Sequence, residues 1–173
     1  MHNNKLMIAG KYLPAIISII ILVFLDQFTK FLAVKYIGYN SSIPLINNIL
    51  ELYYIRNAGA AWGILKNKQI LFYILTVIVL IILFSIYIRL INLKKYKDIR
   101  VLIILIISGA LGNFIDRIRL KYVVDFIYFK LINFPVFNVA DSYITVSFIL
   151  LIILILFKYK EEDFDIILGK KTN

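Results

Sequence analysis

Four long apolar stretches, at residues 13 to 25, 70 to 88, 101 to 112 and 143 to 157, divide the chain, and most charged residues fall between them. Neutral neighbours extend each stretch toward the roughly 20 residues with which an α-helix crosses about 30 Å of hydrocarbon. The expected fold is an all-α membrane protein with four transmembrane helices, at about residues 13–33, 69–90, 101–116 and 139–158, in a single membrane-embedded domain over residues 1–173. The first stretch also has signal-peptide features, since Lys5 and Lys11 precede the apolar run. Asp26, Phe28 and Lys30 stand where a small-residue cleavage site belongs, so the run reads as the first span.

The connections carry structure of their own. The first long one, about residues 36–67, contains Leu50 to Ile55, whose β-branched and aromatic residues around Glu51 predict a strand or hairpin. Asn57, Gly59 and Gly63 then mark a turn in which Ala58, Ala60 and Ala61 keep side chains small, so that backbone approaches another chain closely. The third connection, from Arg117 to about Phe137, is apolar with few charges and predicts an interfacial loop or helix. Tyr53, Tyr54, Trp62, Tyr122 and Tyr128 fit an aromatic belt on that side. The polar tail from Glu161 to Asn173 is expected to be solvated.

Composition sharpens this picture. A hydrophobic content of 62% and a mean hydropathy of +0.88 exceed what the core of a soluble domain needs. The net charge of +10 would suggest nucleic acid in a soluble protein; here its distribution sets orientation instead, and no nucleic-acid partner is expected. Arg89, Lys94, Lys95, Lys97 and Arg100 crowd the short second connection, and Lys5, Lys11, Lys158, Lys160, Lys170 and Lys171 fall on the same side if four spans alternate. That side, with both termini, is expected to face the cytoplasm. There is no cysteine, and the one histidine is His2, so thiol nucleophiles, disulfides, structural zinc sites and histidine triads lack their residues.

Ionisable groups within or at the margin of a span cost roughly 2.5 to 3.5 kcal/mol each on insertion scales, so those that persist need a reason. Asp26, Asp116, Asp125 and Asp141 cluster on the outer side, whereas Asp98, Glu161, Glu162, Asp163 and Asp165 read as solvated charge. Gly109, Gly112, Asn113, Asp116 and Arg117 give the third span a small and polar face, explicable for the glycines by close helix packing. Asn138, Asp141, Ser142 and Thr145 at i, i+3, i+4 and i+7 give the fourth span a polar stripe, with Asn138 also placed to cap the helix. Asp125, flanked by Val123, Val124, Phe126 and Ile127, is desolvated and suited to exist as an acid; Asp116 adjoins Arg117, a counter-charge that suits an orienting carboxylate. Asp26 and Lys30 have the spacing of a helix ion pair, which at a span end is structural or braces the outer loop or site indirectly.

On the residues alone, both Asp116 and Asp125 are candidate partners for Asp141. Two carboxylates sharing a proton point to aspartic-peptidase chemistry. A small transporter or proton relay is the alternative, but a relay needs acids spread through the bilayer depth, and the inner halves of these spans contain none. A serine–lysine peptidase using Ser108 or Ser142 would need a deep, desolvated lysine nearby, which the sequence does not suggest.

Taken in order, Asp26-Gln27-Phe28-Thr29-Lys30, Asn57-Ala58-Gly59-Ala60-Ala61-Trp62-Gly63, Gly109 to Arg117, Val123-Val124-Asp125-Phe126 and Phe137-Asn138-Val139-Ala140-Asp141-Ser142 resemble bacterial lipoprotein signal peptidase, the type II signal peptidase. The resemblance implies a four-helix enzyme of the bacterial cytoplasmic membrane with a small extracytoplasmic β-structure and a site near the outer face. It implies no cofactor. It implies as substrate a prolipoprotein whose lipobox cysteine bears diacylglycerol, cleaved just before that cysteine, with membrane lipid around it. It implies catalytic roles for Asp125 and Asp141 and supporting roles for Asp26, Lys30, Asn57, Gly109, Asn113, Arg117, Asn138 and Ala140; Gly59 and Asp116 join these from their own placement. Ser108 and Trp62 depart from the family's commoner glycine and phenylalanine, and the Asp125 to Asp141 segment is slightly short.

Overall fold

The computed structural model describes residues 2–59 and 68–169, with side chains from Gly10 onward. Helix α1 (His2–Tyr36) leads into strands β1 (Ser42–Ile46) and β2 (Leu50–Asn57), then α2 (Gln69–Leu90), α3 (Lys97–Leu120), β3 (Val123–Phe129), α4 (Val139–Phe157) and α5 (Glu161–Leu168). Four segments, Gly10–Tyr36, Gln69–Leu90, Lys94–Leu120 and Val139–Phe157, are long and apolar enough to cross a membrane. The shortest, of 19 residues, is about 28 Å long at 1.5 Å per residue, close to the hydrocarbon thickness. α3 runs beyond the expected residues 101–116 at both ends, with Asp98 in its first turn and Arg117 and Arg119 in its last, each complementing the helix dipole.

α1, α2 and α4 all pack on α3. Its buried face includes Ser108, Gly109, Gly112, Asn113 and Asp116, whereas α2 fully buries only Tyr87 and Leu90 and turns most of its other apolar residues outward. Between membrane helices the driving force is close packing rather than removal of apolar surface from water, so small residues decide which helices touch. A Cβ on Gly109 would lie 2.4 Å from the Ala140 carbonyl oxygen and 2.7 Å from Ile144 Cγ1, and one on Gly112 would lie 2.4 Å from Asp26 Oδ2. Gly109→Ala is therefore expected to push α4 off α3 and lower stability by about 1–3 kcal/mol. Thermal unfolding in detergent checks this, and an unchanged melting temperature would contradict so close an approach.

The strands form one antiparallel sheet in the order β1-β2-β3. Asn48, at φ 59°, supplies the left-handed residue that reverses the chain between β1 and β2. The third connection corrects the expectation of an interfacial loop or helix: Val123–Phe129 is a strand, followed by a single 3-10 turn at Lys130–Ile132. Tyr54 likewise leaves the proposed aromatic belt, being buried with Ala33, Val124 and Phe126 between the sheet and α1. After β3 the chain returns along it, with the N–H groups of Phe126 and Ile127 donating to the Phe137 carbonyl at 3.0 and 2.8 Å and Phe137 N–H donating to Ile127 O at 3.0 Å. This return sets Asn138 and the start of α4 beside Asp125.

The tail also differs from expectation. Glu161–Leu168 is helical, and Asp163 is buried, accepting from Lys95, the Tyr96 hydroxyl (2.7 Å) and Lys160 N–H (3.0 Å). Lys170 and Lys171 lie outside the described residues.

Candidate active site

Asp125 sits in β3 opposite Ile55, only 2% exposed. Its Oδ2 accepts from Asn57 Nδ2 at 2.8 Å and its Oδ1 from Asn138 Nδ2 at 2.7 Å. Asn57 ends β2, and its Oδ1 accepts from Gly59 N–H at 2.9 Å, closing an Asx turn that aims the amide at Asp125. Burial first, and the charge of Asp141 second, push the Asp125 carboxyl up to about 7, against the lowering influence of Asn57, Asn138 and Lys30.

Asp141 occupies the third position of α4, whose N-cap is Asn138. Asn138 Oδ1 accepts from Asp141 N–H at 3.0 Å while Asp141 Oδ2 accepts from Asn138 N–H at 3.1 Å, a capping box. The Asn138 amide nitrogen is left to reach Asp125 Oδ1 and Asn113 Oδ1 (3.1 Å), and Asn113 Nδ2 donates to Asp141 Oδ1 at 2.7 Å. Asn138 thus caps the helix and also bonds both carboxylates, so its two sequence roles are one. Asp125 is enclosed; Asp141 keeps partial exposure.

Beneath them lies a buried ionic cluster. Lys30, 3% exposed, places Nζ 2.9 Å from Asp26 Oδ2 and 3.0 Å from Asp116 Oδ2, and donates to Asn113 Oδ1 at 3.0 Å. Asp26 Oδ1 accepts from Ala140 N–H at 2.9 Å, so Asp26 braces the start of α4 rather than the outer loop. Asp116 Oδ2 also accepts from Val124 N–H at 3.1 Å, tying β3 to the bundle. Two expectations change here. The counter-charge of Asp116 is Lys30 and not the adjacent Arg117. A buried lysine does exist, but its ammonium is committed to two carboxylates and an amide, while Ser108 and Ser142 hydroxyls donate to the carbonyls of Ile104 and Asn138.

Arg117 lies over the Phe72 ring at 4.6 Å and reaches the carbonyls of Asn113 and Gly59 at 3.4 and 3.5 Å. Gln69 donates to Lys121 O at 2.6 Å and the Tyr73 hydroxyl to Arg117 O at 2.8 Å, fastening α2 to the end of α3. Gln69, Phe72 and Tyr73 escaped the sequence reading, and Gln27, quoted there within a motif, was given no role. Gln27 alone left a signal, as an amide inside an apolar run; it bonds Asp26, the Gly112 carbonyl and Asp116. Gly109 and Gly112 stand where the helices meet, as expected, with Ala140 against both, and Ala60, Ala61, Trp62 and Gly63 lie outside the described residues.

The family Signal peptidase (SPase) II matches residues 18–157, a span that contains every one of these side chains. The chain belongs to the signal peptidase II family. It is 48% identical to a lipoprotein signal peptidase of Caldanaerobacter subterraneus subsp. tengcongensis, over 83% of this chain and 97% of that protein. It is 45% identical to one of Streptococcus pyogenes, over 86% and 95%. Two bacterial membrane enzymes solved by the in meso method, at 2.3 and 1.9 Å, share the fold with TM-scores of 0.75 and 0.72 and identities of 37% and 38%. They cover 86% and 84% of this chain, and 92% and 94% of theirs is matched. With four apolar helices of spanning length, the chain is a multi-pass membrane protein.

Proposed function

We propose that Asp125 and Asp141 are the catalytic pair with which this chain, an aspartic endopeptidase, removes signal peptides from prolipoproteins. The observation that carries the reading is Asn138, which bonds Asp125 through its side chain and Asp141 through its backbone. A carboxyl held up to about 7 suits the acid, so Asp125 is assigned the proton and Asp141 the base. Asp141 takes a proton from water as the water oxygen attacks the scissile carbonyl carbon, and Asp125 protonates the carbonyl oxygen. Asp125 then recovers a proton from the tetrahedral intermediate, Asp141 gives its proton to the leaving nitrogen, and the C–N bond breaks. Asp125 holds its proton below about pH 7 and loses it above, so kcat/KM is expected to fall as pH rises through about 7. A kcat/KM flat from pH 6 to 9 would oppose the assignment.

The substrate in this reading carries diacylglycerol on its lipobox cysteine, and the chain acts as one membrane-embedded domain with the site near the outer face of the bacterial cytoplasmic membrane. Arg89, Lys94, Lys95, Lys97, Arg100, Lys158 and Lys160, at the helix ends away from the aspartates, support cytoplasmic termini. Acyl chains lying against the spans contribute roughly 0.8 kcal/mol per buried methylene, so lipid supplies binding while the lipobox supplies register. The purified enzyme is expected to cleave the lipid-modified precursor at least about tenfold faster than the unmodified one. Equal rates would sink lipid recognition and leave the aspartate chemistry standing.

A further inference from the structure

The start of α3 and the end of α4 enclose an open groove of about 540 Å³ between Lys97 and Lys158. At 1.5 Å per residue, Lys97 lies about 24 Å along α3 from Asn113, so this groove is remote from the aspartates. Its mouth bears Lys94, Lys95, Lys97 and Lys158 against a single carboxylate, Asp98, while its floor is apolar and includes Val101, Leu150 and Ile153. Two of the lysines are occupied: Lys158 Nζ lies 2.5 Å from Asp98 Oδ2, and Lys95 pairs with Asp163. Tyr159 and Tyr96 hydroxyls donate to the same two aspartates, so the rim is held in place by α5 and the end of α4. Lys94 and Lys97 are exposed and form no ion pair among the described residues. Two uncompensated cations therefore stand at the head of an apolar channel.

We propose that this groove binds one anionic phospholipid, its phosphate between Lys94 and Lys97 and one acyl chain along Val101, Leu150 and Ile153. The floor decides among anions. Val101, Leu150 and Ile153 are 48%, 42% and 45% exposed on the outer faces of two membrane-spanning helices, a surface that an acyl chain covers and that a free phosphate or an acidic polypeptide in water does not. Each lysine near an anionic headgroup contributes about fivefold to its retention. A lipid seated here would link the ends of α3 and α4, the two helices whose opposite ends carry Asn113, Asp116 and Asp141. The inference is independent of the peptidase chemistry.

Native mass spectrometry of the full chain, delipidated in detergent and titrated with phosphatidylglycerol or phosphatidylcholine of matched acyl chains, tests it. The expected result is a first phosphatidylglycerol retained at least about fivefold over phosphatidylcholine, saturating near one per chain. Lys94→Gln with Lys97→Gln should abolish that preference, Lys35→Gln at the other end of the bundle should leave it, and prolipoprotein cleavage in detergent should be unchanged in both. Equal retention of the two lipids, anionic binding without a plateau, or preference surviving the double substitution would overturn the proposal. Displacement by excess inorganic phosphate would do so as well, by assigning the groove to a phosphate ion.

Discussion

Asp141→Asn is expected to slow cleavage of the lipid-modified prolipoprotein at least about a thousandfold, because in the proposed mechanism it removes the base that activates water and that later protonates the leaving amine. The fold should survive. Asp141 accepts two hydrogen bonds, from Asn113 and from the Asn138 backbone, and an asparagine retains one acceptor oxygen and therefore one of the two. The lost bond costs about 1–3 kcal/mol, which a capped helix packed on α3 tolerates. Turnover and melting temperature measured on one preparation separate the two effects. A variant that melts near wild type and yet cleaves at a tenth of the rate or better would remove Asp141 from the chemistry.

Lys30→Met is expected to be the most destabilising single change in the bundle. It keeps the volume of the side chain but leaves Asp26 and Asp116 buried without their shared cation, and breaking a buried pair in this way costs about 3–5 kcal/mol. For a chain of this size that corresponds to a melting temperature lower by about 10 °C. Activity should fall with it, because Asp26 positions Ala140 and Asp116 positions Val124, so the helix start and the strand that carry the two aspartates both lose their anchor. Lys35→Met, on an exposed turn of the same helix, should melt like wild type. If Lys30→Met does too, the cluster is not what holds these elements together.

The spans were readable because an apolar stretch that neutral neighbours extend toward about 20 residues is a local property of the sequence. The polar stripe of α4 was readable for the same reason: Asn138, Asp141 and Ser142 share a face by spacing alone. Partner choice was not. Arg117 is next to Asp116 in sequence but about 100° around the helix from it, whereas Lys30, on another helix, lies 3.0 Å away. β3 is a short apolar run whose pairing partner, β2, precedes it by two membrane spans, so strand and interfacial helix could not be told apart locally. α5 was hidden by averaging: a tail that is polar overall still turns Asp163, Phe164 and Ile167 toward the bundle. The bridging role of Asn138 emerged only when β3 and the segment that returns along it put a helix cap beside Asp125.

A pair that works as one unit has an unmistakable kinetic signature. Once either member is gone the mechanism is gone, and removing the second costs almost nothing more. The decisive measurement is therefore single-turnover cleavage of diacylglyceryl-modified prolipoprotein by Asp125→Asn, Asp141→Asn and the double variant, each verified as folded. If Asp125 and Asp141 are the catalytic pair, all three lose activity to the same low floor, at least about a thousandfold below wild type. If one single variant keeps most of its turnover, or if the double loses the product of the two single losses, the two carboxylates do not act together.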